Sequence, residues 1–502
     1  MTGHRIARLI RRLCVPIFLF WLALAALTNS SVPPLEKVAE AHNVGLSAQD
    51  APSMIAMKHI GKTFQEFDSD SSAMIVLEGD APLGAEAHHY YDALTARLAA
   101  DAKHVVHIQN FWGDPLTAAG AQSADGKAAF VQLYLAGNQG EGLGDESVRA
   151  VREIVDHTPP PPGLKVYVTG PGPLVADQFN VGSKGSKKVT LVTFAVIFLM
   201  LLWVYRSIAT VLLVLVMVLL EVASARGVVA VLAYHNIIGL SVYSTNLLTL
   251  LSIAAGTDYA IFLLGRYHEA RHAGQGREDA FLTSYHGTSH VVLGSGLTIV
   301  GALYSLTFTR LPYFNSLGVP AAIGITVALL GSLTLAPAVV TMGSRFGLFD
   351  PKRSMRTQGW RRIGTAIVRW PGPILAVSIG VALIGLLALP GYRTSYNVRF
   401  YLPPSAPANI GYDAAERHFS AARLNPEMLM IEADHDLRTS AGLLTVEKVA
   451  KAVFHTPGVA MVQTITRPLG TPLDHSTLGF QMSMGGSTQL ENLPFQQARA
   501  AA

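Results

Sequence analysis

The sequence predicts an α-helical polytopic membrane protein of about seven transmembrane helices, with α+β domains outside the bilayer. Three observations carry that expectation. Half of the 502 residues are apolar and only 14% are charged, whereas a soluble domain carries about a quarter charged residues. Seven apolar runs, near 13 to 29, 188 to 205, 208 to 232, 245 to 264, 290 to 309, 316 to 342 and 372 to 390, approach the roughly 20 residues that cross about 30 Å of hydrocarbon. Two long segments, 30 to 187 and 391 to 502, have instead the mixed pattern of folded domains.

Residues 1 to 29 join a basic tail to the first span. Arg5, Arg8, Arg11 and Arg12 precede an apolar core from Trp21 to Leu27, as in a signal peptide. No small-x-small cleavage site follows, so the segment reads as an uncleaved helix. Residues 188 to 342 supply five further spans, 343 to 371 a basic loop, and 372 to 390 the seventh span. If every run crosses, the tail, the turn at Arg206, the loop with Arg266, Arg271 and Arg277, and the loop with Arg345, Lys352, Arg353, Arg356, Arg361, Arg362 and Arg369 all lie on one side. The positive-inside rule makes that side cytoplasmic. The segments 30 to 187 and 391 to 502 then lie outside, on the far side of the membrane. The loop 343 to 371 could lie on the inner leaflet, each Lys or Arg adding about 1 kcal/mol near anionic lipid, but an ordinary positive-inside signal accounts for it.

The first outer segment alternates a helix at Ala85 to Ala100 with strand-like runs at Met74 to Glu78, Val105 to Gln109, Phe130 to Leu135 and Leu164 to Thr169, with a hard break at Pro159 to Gly163. The second outer segment repeats it at an offset of about 350 residues. Ala51-Pro52 before Phe64 answers Ala406-Pro407 before Phe419, and Met74 to Asp80 answers Met428 to Asp434. Val106 to Gln109 answers Ala460 to Gln463, and Val131 to Gly137 answers Phe480 to Gly486. The repeat unit is a helix, an outer domain and five further helices, and parallel repeats of this kind mark transporters. On that reading the second copy stops near the point equivalent to residue 150, making it a partial domain.

One residue points to chemistry. Asp258 lies within the apolar run 245 to 264, where a carboxylate costs between about 3 and more than 10 kcal/mol. An acid at that depth is expected to carry protons or ions. Facing carboxylates in a bundle cannot both ionise, so one can titrate near physiological pH, and the hydroxyl of Tyr259 can donate to a carboxylate and fix its rotamer. The bland alternative is a neutral acid that only holds helices together. Glu221, in the run 208 to 232, lies about 140° around the helix from Arg226, so each is expected to find a partner on another helix, as a structural ion pair or on a proton path. The small residues Gly294, Ser295, Gly296, Gly301, Gly318, Gly324 and Gly331 read as close helix packing.

Several function classes are disfavoured. The basic residues cluster beside the spans and form no continuous stripe, so no nucleic-acid partner is indicated. The single cysteine, Cys14, makes no internal disulfide. Seventeen histidines are scattered with one adjacent pair, His88-His89, and neither metal-ligand spacing, a phosphate-binding Gly-rich loop nor a nucleophile-base motif appears. The sequence therefore argues against an enzyme or an ATP-driven pump and calls for no cofactor or metal.

The stretch Gly256 to Arg271 (GTDYAIFLLGRYHEAR), with Val292 to Ile299, Thr309 to Phe314 and Gly343 to Lys352, resembles the MmpL (mycobacterial membrane protein large) branch of the resistance-nodulation-division (RND) transporters. Leu424 to Glu427 and Asp434 to Arg438 resemble members linked to siderophore and glycopeptidolipid export. The resemblance implies an RND-like fold of twelve spans in two repeats with two periplasmic porter domains, exporting lipids, glycolipids or lipid-like siderophores on the proton-motive force. It implies that Asp258 and Tyr259 form a proton relay with a matching Asp-Tyr pair on a tenth span, and that a small periplasmic accessory protein can take part. The expected function is one half of such a transporter, completed by a separately encoded second half or by self-association; the alternative is a truncated, non-transporting remnant or membrane scaffold.

The topology is testable by labelling cysteines introduced one at a time in intact cells. An impermeant reagent is expected to label sites in 30 to 187 and 391 to 502 and to leave 266 to 288 and 343 to 371 untouched; strong labelling in 343 to 371 would refute the arrangement.

Overall fold

The computed structural model describes residues 2–41, 43–114, 117–349, 358–387, 389–392, 397–424, 426–467 and 470. The chain forms two compact units. One comprises residues 1–42, 183–310 and 314–398, the other 43–182, 311–313 and 399–502.

The first unit is helical because hydrocarbon leaves the backbone no partner except itself. Its elements are α1 (Thr2–Arg12), α2 (Cys14–Ser31) and α3 (Leu35–Ala41). Among the described residues, seven helices are long and apolar enough to cross a membrane: α2 and six that follow the first outer segment. They make this a multi-pass membrane protein. Several exceed the apolar runs because polar turns extend the ends, as in Val242–His272 and Pro312–Arg345.

The second unit opens with α4 (Pro52–Phe64), whose proline stands at the first helical position, where a missing N–H costs nothing. There follow β1 (Ser72–Gly79), α5 (Ala85–Ala100), β2 (Val105–Gln109), α6 (Ala118–Ala121), β3 (Ala128–Leu135), α7 (Gly142–Asp156) and β4 (Leu164–Thr169). All four strands fall where the sequence placed them. They form one antiparallel sheet in the order β2-β3-β1-β4, the split βαβ arrangement of ferredoxin-like folds. In register, Ile75 opposes Val131 on one side and Val168 on the other. Alternation gives the two faces different tasks. Ala73, Ile75 and Leu77 join Tyr91, Leu94 and Leu98 of α5 and Val148 and Val151 of α7 in a closed core. His88, half of the adjacent histidine pair, stacks on Trp112 with ring centroids 3.8 Å apart, which is a packing role.

The membrane unit continues with α8 (Pro171–Tyr205), α9 (Ile208–Tyr234), α10 (Val242–His272), α11 (Arg277–Tyr304), α12 (Pro312–Arg345), α13 (Gln358–Arg369) and α14 (Pro371–Leu387). Its core joins Trp21 of α2, Val218 of α9, Ile253 and Leu263 of α10, and Leu335 of α12. Contacts gather the four basic segments at one end of the bundle. Arg11 of α1 pairs with Glu278 of α11. Thr210, one turn past Arg206, donates to the Leu348 carbonyl at 3.0 Å, and His268 bonds the Phe349 carbonyl at 2.9 Å. By contrast α14 has no buried residue, although it is among the most apolar helices.

The chain then supplies α15 (Pro407–His418), α16 (Ala421–Leu424) and α17 (Ser440–Phe454) to the second unit. α15 repeats α4, again with proline at the first position, and lies on the second face of the sheet. Thr169 donates to the Ala408 carbonyl at 2.7 Å, and Asp177 accepts the Ala408 N–H at 2.8 Å. Phe419 packs edge-on against Phe130 with centroids 5.1 Å apart. A Cβ at Gly411 would sit 3.1 Å from Tyr167 Cβ, so glycine sets how close α15 comes.

The expected repeat is only partly realised. Met428 to Asp434, the counterpart of β1, is an exposed segment without strand pairing, and Ala460 to Gln463 is also outside any strand. A strand exists only with a partner: β1 is held between β3 and β4. The counterpart of β3, Phe480 to Gly486, lies outside the described residues.

The end of α15 is fixed by charge. Arg417 donates from Nε and Nη2 to the two oxygens of Glu78, each at 2.9 Å. His418 bridges Glu78 Oε1 at 3.2 Å and Asp125 Oδ2 at 2.8 Å. Burial by itself would raise the Glu78 carboxyl, but hydrogen bonds from Arg417 and His418, the Arg417 charge and the Tyr167 hydroxyl outweigh it and hold it below its ordinary value. Asp125 is held low by Ser123 and the Lys127 N–H, with His418 adding to them.

A carboxyl with a lowered folded-state pKa contributes stability that is present above its unfolded value and lost as pH falls through the folded one. The docking of α15 is therefore expected to weaken below about pH 4, the ordinary carboxylate range. Hydrogen exchange in 407 to 418, corrected for intrinsic rates, is expected to rise on acidification. In Glu78→Gln it should already be raised at neutral pH, by about fivefold for the ~1 kcal/mol of a good surface pair; wild-type protection in that variant would remove Glu78 from the latch.

Candidate functional site

The site is built on α10, which starts cleanly because the Ser241 hydroxyl accepts the Ser244 N–H at 3.1 Å and caps the first turn. One side of α10 faces the bundle: Thr245, Leu248, Ser252, Gly256, Ala260, Leu263 and Tyr267 are buried. Another side carries Leu250, Ala254 and Asp258 at four-residue spacing, and all three are exposed. Asp258 thus ends an uncovered stripe along an otherwise packed helix. Tyr259 is half-buried, and its hydroxyl oxygen accepts from Ser295 Oγ of α11 at 3.2 Å. The structure places the two sequence-predicted residues side by side on one helix but shows no hydrogen bond from Tyr259 to Asp258.

The second buried acid departs from expectation. Arg226 does find partners on other helices: its guanidinium donates to Thr249 Oγ1 of α10 at 2.8 Å and to Glu36 Oε1 of α3 at 2.5 Å. Glu221 does not. Its side chain is fully buried and neither carboxyl oxygen has a hydrogen-bond partner. Two glycines make room for it. A Cβ at Gly331 of α12 would lie 2.7 Å from Glu221 Cγ and 2.8 Å from Oε1, and one at Gly256 of α10 would overlap Oε2.

The small-residue reading holds at some positions and fails at others. Gly296 is pressed by Leu329, Gly318 by Thr307 and Gly324 by Leu248, with added Cβ atoms falling 2.6 to 2.8 Å from those side chains. Gly294 and Gly301 face open space, where no described helix covers α11, whereas Ser295 reaches α10 through its bond to Tyr259. The role of Gly256 was legible only as part of the GTDY motif; nothing in the sequence paired it with Glu221. No group of three or more metal-ligating side chains occurs among the described residues.

The titratable carboxyl groups the site presents are those of Asp258, on the uncovered side of α10, and Glu221, enclosed between helices. The sequence model of the MMPL family matches residues 45–374. Along its whole length the chain is 56% identical to the probable transport protein MmpL1 of Mycobacterium tuberculosis (strain CDC 1551 / Oshkosh), covering 52% of that protein. It is 59% identical, over 96% of its length, to the siderophore exporter MmpL5 of the same strain, covering 50% of it. The acyltrehalose exporter MmpL10 of that strain is 35% identical over 93% of the chain, which covers 47% of it. The chain spans about half the length of these relatives. With the family pattern matched across most of the chain and identity above half to full-length alignments, the chain belongs to the MMPL family.

Proposed function

We propose that this chain is one half of an RND/MmpL-type exporter that moves lipids, glycolipids or lipid-like siderophores across the inner membrane on the proton-motive force. Asp258 and Tyr259 are its proton-relay residues. The observation that carries the reading is the exposed stripe Leu250, Ala254 and Asp258 on α10. In lipid an ionised Asp258 would cost about 3 kcal/mol or more, so the stripe calls for a covering helix that supplies a partner. A second repeat of helices, whether it continues this chain or belongs to another, provides that cover, and a small periplasmic accessory protein joins the assembly. The siderophore and acyltrehalose named for MmpL5 and MmpL10 support the cargo class. The gathering of the basic segments at one end of the bundle supports a cytoplasmic tail and periplasmic outer segments.

Asp258→Asn keeps the size of the side chain and removes its titration. In a reconstituted assembly it is expected to abolish proton-coupled export, at least about a hundredfold on the scale of general acid-base contributions, while membrane insertion stays normal. Export at the wild-type rate by Asp258→Asn would dismiss the relay. Purification from native membranes, with identification of co-purifying proteins and lipids, tests the assembly: a stable monodisperse monomer lacking partner and lipid would leave the scaffold reading in its place.

A further inference from the structure

Glu221 has no place in the relay just described, yet it is closely enclosed within the membrane unit. Three helices meet at its carboxyl group. It projects from α9, with Gly256 of α10 against one oxygen and Gly331 of α12 against the other. The two glycines remove the side chains that would otherwise occupy the space, so the pocket is shaped to a carboxyl group. That group is sealed from solvent and unpartnered.

No cation faces it. On its own helix Arg226 is engaged by Glu36 and Thr249, and Tyr234 lies at the far end. On α10 the neighbours of Gly256 are Asp258, which is exposed, and Tyr259, which bonds Ser295. Between Tyr313 and Arg345, α12 has no titratable residue. α2 offers only Cys14, and α3 carries Glu36, Lys37 and Glu40, the first paired with Arg226. An ionised carboxylate in this setting has neither hydration nor a countercharge, which a neutral carboxylic acid does not require.

We propose that Glu221 is a neutral carboxylic acid when the glycine faces of α10 and α12 are closed on it, and that parting of those faces admits water and lets it release its proton. In that step the Oε–H bond breaks, the proton passes to water and the carboxylate is left hydrated; closure reverses it. Buried hydroxyls without partners occur near both glycines in sequence, Ser252 one turn before Gly256, Thr257 after it, and Ser332 after Gly331, polar groups that water admitted between the helices can bond. Glu221 thereby becomes a second proton-exchanging group, its protonation tied to helix packing. Its part in transport rests on the proton-coupled reading above, but its protonation state does not.

The test is infrared spectroscopy on the full chain in nanodiscs. At neutral pH a protonated-carboxyl carbonyl band is expected, lost in Glu221→Gln and retained in Asp258→Asn. If Glu221→Gln does not fold, Glu221→Asp serves, because the band should shift. Gating is read by transfer to deuterated water, with α10 tied to α12 by a disulfide between Leu248→Cys and Gly324→Cys in a Cys14→Ala background. Exchange of the band is expected to slow by about tenfold or more when the helices are tied, since it proceeds through local opening. A carbonyl region identical in wild type and Glu221→Gln, or an exchange rate indifferent to the disulfide, would overturn the proposal. Failure of the export reading shows separately, in the transport assay of Asp258→Asn, and leaves the infrared result unchanged.

Discussion

Water is absent from the hydrocarbon layer, and nearly every feature of the membrane unit answers to that. Backbone groups must bond within their own segment, so the apolar runs are helices. Side chains that can ionise must find a partner, give up their charge or reach an aqueous surface. Arg226 takes the first course, held by Glu36 and Thr249. Glu221 takes the second, enclosed by Gly256 and Gly331. Asp258 does neither within the chain, lying on an exposed stripe of α10, which makes that stripe the point where another helix is needed. The same argument bears on α14, which is strongly apolar and has no buried residue.

Outside the hydrocarbon the governing constraint is different. A four-stranded sheet has two faces, and β1 is apolar on both, so one layer of helices is not enough. α5 and α7 close one face from the first outer segment. α15, which follows α14 in the chain, closes the other through Ala408, Gly411 and Phe419. The two outer segments therefore share one compact unit, and the pairing of Arg417 and His418 with Glu78 and Asp125 fixes the end of the helix that joins them.

Much of this was legible in the sequence because the signals are local. The length of an apolar run, the short strand-like stretch Met74 to Glu78, and a proline at the first position of α4 and α15 each act over a few residues. The segment Met428 to Asp434, which answers β1 in sequence but forms no strand, shows the complementary limit. Its composition matches that of β1, but strand formation depends on partners distant in sequence, and composition does not report them. Gly294 and Gly301 were taken as packing positions on composition alone, and only the arrangement of neighbouring helices shows that nothing described covers them.

The candidate site divides in the same way. By itself the sequence determined that an acid and a tyrosine, Asp258 and Tyr259, lie within an apolar helix, that five helices follow the first outer segment before the basic loop, and that the family pattern surrounds them. Hydrophobicity and motif spacing are written along one chain and need no folding to be read. Only the tertiary structure decided that Glu221 has no partner, that glycines on two other helices enclose it, and that Asp258 faces outward while its neighbour bonds α11. Those facts depend on the rotation of each helix about its axis, which is set by the packing of α9, α10, α11 and α12 against one another and is not encoded in any one of them.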